Sequence, residues 1–279
     1  MIAVAALMAM SVPAQADGLS GWGEAYIGTI FGIDVTRGWR AHGDEPKARG
    51  GGGFAVNLPV GGGWNLQAEG FASGSEDDNG FDFFTVWGGG GFHGYYRDAD
   101  HAYGIFGGAA ALQGNEDSLT GVVAGAEAAW FCATCTWIVQ AGYISRINSP
   151  PIESDDDFIS DGGFIRVLWR KFFDDNMMLQ LGVTGAVGQE DGDQDEVTVG
   201  VLRAGFEHIP DGWPVAYFAR LVSTAGNSWQ DGEVAWNNEL MLGLRLYFGH
   251  ETLKSNDRGG TTFDLPPLRA IQEINLNHD

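Results

Sequence analysis

The segment "ELMLGLRLYF" puts Leu240, Leu242, Leu244, Leu246 and Phe248 at every second position, with Glu239, Gly243, Arg245 and Tyr247 among the residues between them. A period of two sends alternate side chains to opposite faces of an extended strand. The same alternation sets Asn65, Gln67 and Glu69 against Trp64, Leu66 and Ala68 in "WNLQAEGF". In "FIRVLWRKF" it sets Arg166, Leu168 and Arg170 against Ile165, Val167 and Trp169. Residues 20–248 divide into about a dozen such segments of roughly ten residues. Others, such as "GGGGFHGYY", carry too much glycine to fix a phase. The 44 glycines also leave little scope for helices, because each interior glycine costs about 1 kcal/mol relative to alanine. The chain reads as all-β.

The links between segments alternate in length. Short ones fall at Val60–Gly63, Asp98–His101, Cys132–Cys135, Asp174–Asn176 and Ile209–Gly212. Longer polar ones fall at Ile33–Gly50, Ser73–Gly80, Gly114–Ser118, Asn148–Asp161, Gln189–Asp195 and Gly226–Asp231. An up-and-down barrel in an outer membrane has this asymmetry, with tight periplasmic turns and longer external loops. A soluble sandwich with Greek-key crossings has no reason to keep it. Beside the short links stand Trp64, Tyr95, Tyr96, Tyr103, Trp130, Phe131, Trp137, Phe172, Phe173, Trp213 and Phe248. Aromatic rings gather at the headgroup level of a membrane, so these residues are expected to form a girdle at one rim. The expected fold is a transmembrane antiparallel up-and-down β-barrel of about 12 strands over residues 17–248. Closure leaves no unpaired edge in hydrocarbon.

The ends differ from the barrel. "MIAVAALMAMSVPAQADG" has the apolar run and small-x-small site of a secretory signal over residues 1–16. Export would bring the chain to a compartment where disulfides persist. The net charge of -22 and pI near 4.3 argue against nucleic acid as a partner. Residues 249–279, "GHETLKSNDRGGTTFDLPPLRAIQEINLNHD", are polar and turn-rich and are expected to form a flexible periplasmic tail. Within it, Leu268–Asn275 could form one short helix touching the periplasmic mouth or peptidoglycan. The strand end "LGLRLYFG" followed by "TLKSNDR" and a proline-containing end, together with the signal, resembles small porin-like outer-membrane barrels of alphaproteobacteria. The final Tyr247-Phe248 resembles the aromatic-ended last strand that such barrels present to the barrel-assembly machinery.

Cys132 and Cys135, bracketed by Trp130 and Trp137, occupy the ends of a short turn. Such ends lie within about 7 Å, so a disulfide is expected. A metal site would need two more ligands, and a redox pair would need a βαβ context. The sequence calls for no cofactor. His93 is the one histidine within a strand segment, and no serine stands two residues from it, so catalysis is not expected. The loops "SEDDNGFD", "ESDDDFISD" and "QEDGDQDE" are acidic. Asp191-x-Asp193-x-Asp195 begins like a calcium loop but lacks its turn glycine and distal glutamate. Loose divalent cations bridging these loops to lipopolysaccharide are the functional version of a solvated acidic surface.

The lumen is where function is expected. Glu24, Glu69 and Glu127 face inward from the first half of the chain. Arg146, Arg166, Arg170, Arg203, Arg220 and Arg245 do so from the second half, with Glu207 and Glu239 among them. Sequence neighbours are barrel neighbours, so an acidic wall should oppose a basic one, giving a transverse field. The expected function is a small porin-like passive channel for polar or anionic solutes in the outer membrane. The alternative is a non-conducting structural or surface-interaction barrel, whose lumen charges pair and plug it.

Overall fold

The computed structural model describes residues 18–34, 46–77, 80–113, 118–147, 159–190, 196–228 and 234–272. Twelve strands form one closed antiparallel barrel in which each strand pairs with its sequence neighbours. They are β1 (Ser20–Asp34), β2 (Lys47–Gly61), β3 (Trp64–Asp77), β4 (Gly80–Arg97), β5 (His101–Gln113) and β6 (Ser118–Cys132). The second half is β7 (Cys135–Arg146), β8 (Ile159–Asp174), β9 (Met177–Glu190), β10 (Glu196–His208), β11 (Val215–Ser228) and β12 (Val234–Phe248). The ring closes where β1 meets β12, from Gly21 opposite Phe248 to Asp34 opposite Ala235.

Alternation sorts the side chains as the sequence pattern requires. Ile27, Phe92, Ile105, Ile165, Leu202, Leu242 and Leu244 are exposed on the outer wall, while Gln67, His93, Gln140 and Arg166 are buried inside. An apolar exterior around a polar axis is the inverse of a soluble barrel. It suits lipid outside and polar groups within. The glycine-rich run of β4 resolves with Gly91, His93 and Tyr95 inward and Phe92 outward.

One end carries the tight links. Turns join β2 to β3 at Gly62–Gly63, β4 to β5 at 98–100, β6 to β7 at 133–134 and β8 to β9 at 175–176. In the second of these, the N–H groups of Asp100 and His101 donate to the Asp98 carboxylate at 2.8 Å, holding its pKa below the ordinary value. At the opposite end, β3 and β4 run further than expected, so part of "SEDDNGFD" is strand rather than loop. The signal segment, Asp191, Asp193 and Asp195, and Asp78, Glu153, Asp155, Asp156 and Asp157 of the other acidic loops lie outside the described residues.

At the turn end the rim keeps its outward aromatic residues: Trp64, Tyr103, Trp130, Trp137, Phe173 and Trp213 are all exposed. Three residues expected in that girdle are not in it. Tyr95, Phe131 and Phe172 are buried inside the barrel, because each adjoins an outward aromatic and neighbours on a strand must face opposite ways. Cys132 and Cys135 form a disulfide across the β6–β7 turn, with Cα atoms 5.0 Å apart. The staple closes only a very short loop, so replacing both cysteines by serine should cost about 2 kcal/mol. A urea-unfolding midpoint compared with the parent protein measures it.

Residues 249–272 do not hang free of the barrel. Gly249 turns the chain back at the end of β12 with φ of 80°, and a Cβ there would lie 2.5 Å from the Leu19 carbonyl oxygen. Helix α1 (Leu253–Gly259) follows, capped by Thr252, whose hydroxyl accepts from the Ser255 N–H while the Ser255 side chain accepts from the Thr252 N–H. It lies across the turn end, where Leu253 packs with Phe172, Met178, Ile209 and Ala216. Residues 261–267 then run into the lumen in extended form, and helix α2 (Leu268–Gln272) rests against β6, β8 and β10. The part of the expected periplasmic tail that is described, residues 249–272, is therefore an element packed against and inside the barrel; 273–279 lie outside the described residues. A barrel of eight strands is filled by its own side chains, whereas sixteen leave an aqueous channel. Twelve leave a space that side chains alone do not fill, and here an inserted segment occupies much of it.

Candidate functional site: the lumen and its inserted segment

The inserted segment is held by side chains from the wall. Gln67 Nε2 donates to the Phe263 carbonyl at 2.6 Å, and the Leu265 N–H donates to Glu69 Oε1 at 2.5 Å. Arg97 reaches the carbonyls of Gly259 and Gly260 at 2.5 and 2.9 Å. Gln140 Nε2 and Arg166 Nη1 donate to the Asp264 carbonyl at 2.9 and 3.0 Å, and Arg170 Nη1 to that of Thr262 at 2.7 Å. An extended segment has no internal hydrogen-bond ladder, so buried backbone groups must find partners elsewhere. Here the polar inward faces of β3, β4, β7 and β8 provide them.

Apolar contacts fix its depth. The Phe263 ring stacks over His93 at 6.1 Å and meets Tyr95 edge-on at 5.0 Å. Leu265, Leu268 and Ile271 join Phe106, Val123, Ile144, Phe164 and Val197 in one buried cluster. Room for Leu265 comes from inward glycines: a Cβ at Gly91 or Gly108 would stand 3.0 or 3.1 Å from its Cδ1. The Gly-rich run whose phase the sequence left open thus has a use, as a bare patch of wall against which a leucine fits.

Charges organise the rest. The Asp264 carboxylate is gripped by Arg166 at 2.8 Å, Arg203 at 3.1 Å and Arg170 at 3.2 Å. Asp257 pairs with Arg170 at 2.5 Å and accepts from the Thr136 hydroxyl at 2.6 Å. On the other side of the lumen, Glu24 binds both Arg220 and Arg245, Glu207 binds Arg245 at 3.0 Å, and Arg49 binds Glu239. His93 sits between Glu69 at 2.8 Å and Glu127 at 2.9 Å. Arg258 in α1 donates to the carbonyls of Cys132 and Cys135, so the stapled turn also receives the segment.

Glu24, Glu69, Glu127, Arg166, Arg170, Arg203, Arg220, Glu239 and Arg245 thus all stand on the inner wall, and Arg146 is half-buried at the loop end of β7. The expected opposition of an acidic and a basic wall is not what they form. Ring closure puts β1 beside β12, so Glu24 falls directly opposite Arg245, and the charges neutralise one another locally. Sequence reasoning missed Asp257, Asp264 and the clamp around His93. The signal that could have found the first two is the spacing of Phe263, Leu265, Leu268 and Ile271, four large apolar residues in a stretch too short to make its own core.

A cavity of about 270 Å³ remains beside the segment. Its lining includes Arg49, Arg166, Arg170, Arg203, Arg220 and Arg245. Against these stand Glu24, Glu69, Glu207 and Glu239 from the wall and Asp257 and Asp264 from the segment. A space of that volume has room for many waters rather than one.

No protein-family model matches the chain, and no curated protein matches it in sequence. Among solved structures, an outer membrane channel from Pseudomonas putida F1 aligns with a TM-score of 0.56 at 13% identity, covering 83% of this chain and 96% of that one. The likeness is one of fold. The translocator domain of the autotransporter NalP from Neisseria meningitidis gives 0.45 at 13% identity over 88% and 95% of the two chains. The KdgM porin gives 0.44 at 9% identity over 81% and 99%.

Proposed function

We propose that the protein is a passive outer-membrane channel for small polar solutes, with a preference for anions and a conductance limited by its own C-terminal segment. The observation that carries this reading is the charged cavity of about 270 Å³ between that segment and the wall of β1 to β3 and β8 to β12. Tight turns then face the periplasm, and the longer links face outward. The cavity is lined by charges of both signs among apolar side chains such as Trp22, Phe71 and Phe218, so a solute meets partners for its polar groups at intervals along it. Arg220 stands in this free part of the lumen, 3.2 Å from Glu24.

Planar bilayers test the reading with full-length protein refolded in detergent. Expected are small, resolvable openings with a reversal potential displaced toward the anion. Arg220→Ala should move that potential toward the cation, since it removes a positive charge from the open side and leaves Glu24. The absence of openings from assembled protein would decide for a non-conducting barrel, a reading favoured by how much of the lumen the segment fills.

A further inference from the structure

The arginines that line the cavity fall into two groups. Arg49, Arg220 and Arg245 are neutralised by carboxylates on the strands, namely Glu239, Glu24 and Glu207. Arg166, Arg170 and Arg203 are different. Among the described residues, the carboxylates paired with them are Asp264 and Asp257, both on the inserted segment. Without that segment, β8 and β10 would present three guanidinium groups on one side of the lumen with no paired carboxylate among the described residues of the wall. Burying unpaired charge is costly, so this part of the barrel is built to receive an anion from elsewhere.

Its surroundings are those of a solute site. The guanidinium fork suits carboxylate oxygens, and three converge on one carboxylate at 2.8–3.2 Å. Gln180, more than nine-tenths buried, accepts from Arg170 Nε at 3.3 Å, while its own Nε2 has no acceptor. Arg203 Nε is likewise buried without a partner. Both residues line the open cavity, so a molecule diffusing there reaches the cradle without passing through the segment.

We infer that Arg166, Arg170 and Arg203 form the binding site of the channel for small dicarboxylates, and that Asp257 and Asp264 occupy it in the resting chain as a tethered stand-in. The inference rests on the channel reading above and names its solute class. Two carboxylates on the segment share Arg170, and this is why a dicarboxylate rather than a single acid group is the matching ligand. A short tether gives its ends a millimolar effective concentration, so free solute must reach at least that range to compete. The apolar anchor of Leu268 and Ile271 stays in place while residues 257–264 lift away.

The test uses full-length protein in detergent, with trypsin cleavage after Arg258 followed by mass spectrometry. Arg258 is held against the β6–β7 turn by its bonds to the Cys132 and Cys135 carbonyls, so cleavage there reports release of α1. Succinate, acetate and inorganic phosphate are compared at equal ionic strength, on the order of tens of millimolar. Succinate is expected to accelerate cleavage severalfold in a saturable way, with acetate and phosphate near the salt control. Arg203→Gln should abolish most of that acceleration, since Arg166 and Arg170 still hold the segment. Equal rates in all three salts overturn the site, and phosphate matching succinate overturns the dicarboxylate class. A succinate response that is unchanged in Arg203→Gln overturns the cradle. If that variant does not assemble, the three salts with parent protein decide. Bilayer openings without a succinate response defeat only this inference, whereas a succinate response without openings defeats only the channel reading.

Discussion

Asp264→Asn should turn a sparingly conducting barrel into an open one. In the parent chain one carboxylate answers Arg166, Arg170 and Arg203 at once. The amide keeps the size of the side chain but removes the charge, leaving Arg166 and Arg203 without a paired carboxylate among the described residues and Arg170 with Asp257 alone. Removing one partner of a buried ion pair costs about 3–5 kcal/mol. At 1.4 kcal/mol for each factor of ten, the docked segment loses on the order of a hundred- to several thousand-fold against the undocked one. Apolar burial of Phe263, Leu265, Leu268 and Ile271 opposes release, so the segment should exchange between states rather than leave for good. Bilayer recordings should show frequent large openings, and the reversal potential should shift further toward the anion because the lumen has lost a negative charge. Asp264→Glu, which restores the carboxylate, should return most of the parent behaviour. Recordings of Asp264→Asn that match the parent would mean that this ion cluster does not control the opening.

Much of the barrel was legible because its signal is local. The leucine row of β12 and the Arg166-Leu168-Arg170 face of β8 need only a period of two, and any hydrocarbon-facing wall enforces it. The disulfide was legible for the same reason, since the turn alone brings Cys132 and Cys135 within reach. Tyr95, Phe131 and Phe172 depart from the girdle because parity along the strand, not nearness to a turn, decides which face a side chain takes. The phase of Gly88–Gly91 could not be read at all, as glycine marks neither face.

The inserted segment lay beyond local reasoning for a different cause. Its polar composition describes a chain in water, yet its carbonyls are satisfied by Arg97, Gln67, Gln140, Arg166 and Arg170, residues far away in sequence. Those same arginines read equally well as pore-lining charges or as anchors. What separates the two roles is the position of their counter-charge, and for β8 and β10 that counter-charge sits on a segment the sequence pattern sets outside the barrel. The pairing of Glu24 with Arg245 was hidden in a related way. It joins the first strand to the last, the one contact that linear order does not suggest and closure requires.

That seam should also dominate stability. Glu24 accepts two hydrogen bonds from Arg220 at 3.2 Å and two from Arg245, one from Nε at 2.9 Å and one from Nη2. Arg245 in turn lies 4.2 Å over the Trp22 ring, so one carboxylate orders residues on β1, β11 and β12 where the ring closes. Glu24→Gln would put an amide N–H₂ among guanidinium donors and leave Arg220 without its carboxylate. The expected loss is about 3–5 kcal/mol in unfolding free energy, read from the urea midpoint by tryptophan fluorescence. Glu196→Gln, at an exposed position, should change it by less than about 0.5 kcal/mol. The distinction matters for interpreting the channel. If Glu24→Gln lowers stability while single openings persist, the β1–β12 charges serve closure. If stability is unchanged and only selectivity moves, Glu24 acts as a filter residue, and the seam is held by backbone pairing and the packing of Trp22 and Phe218 alone.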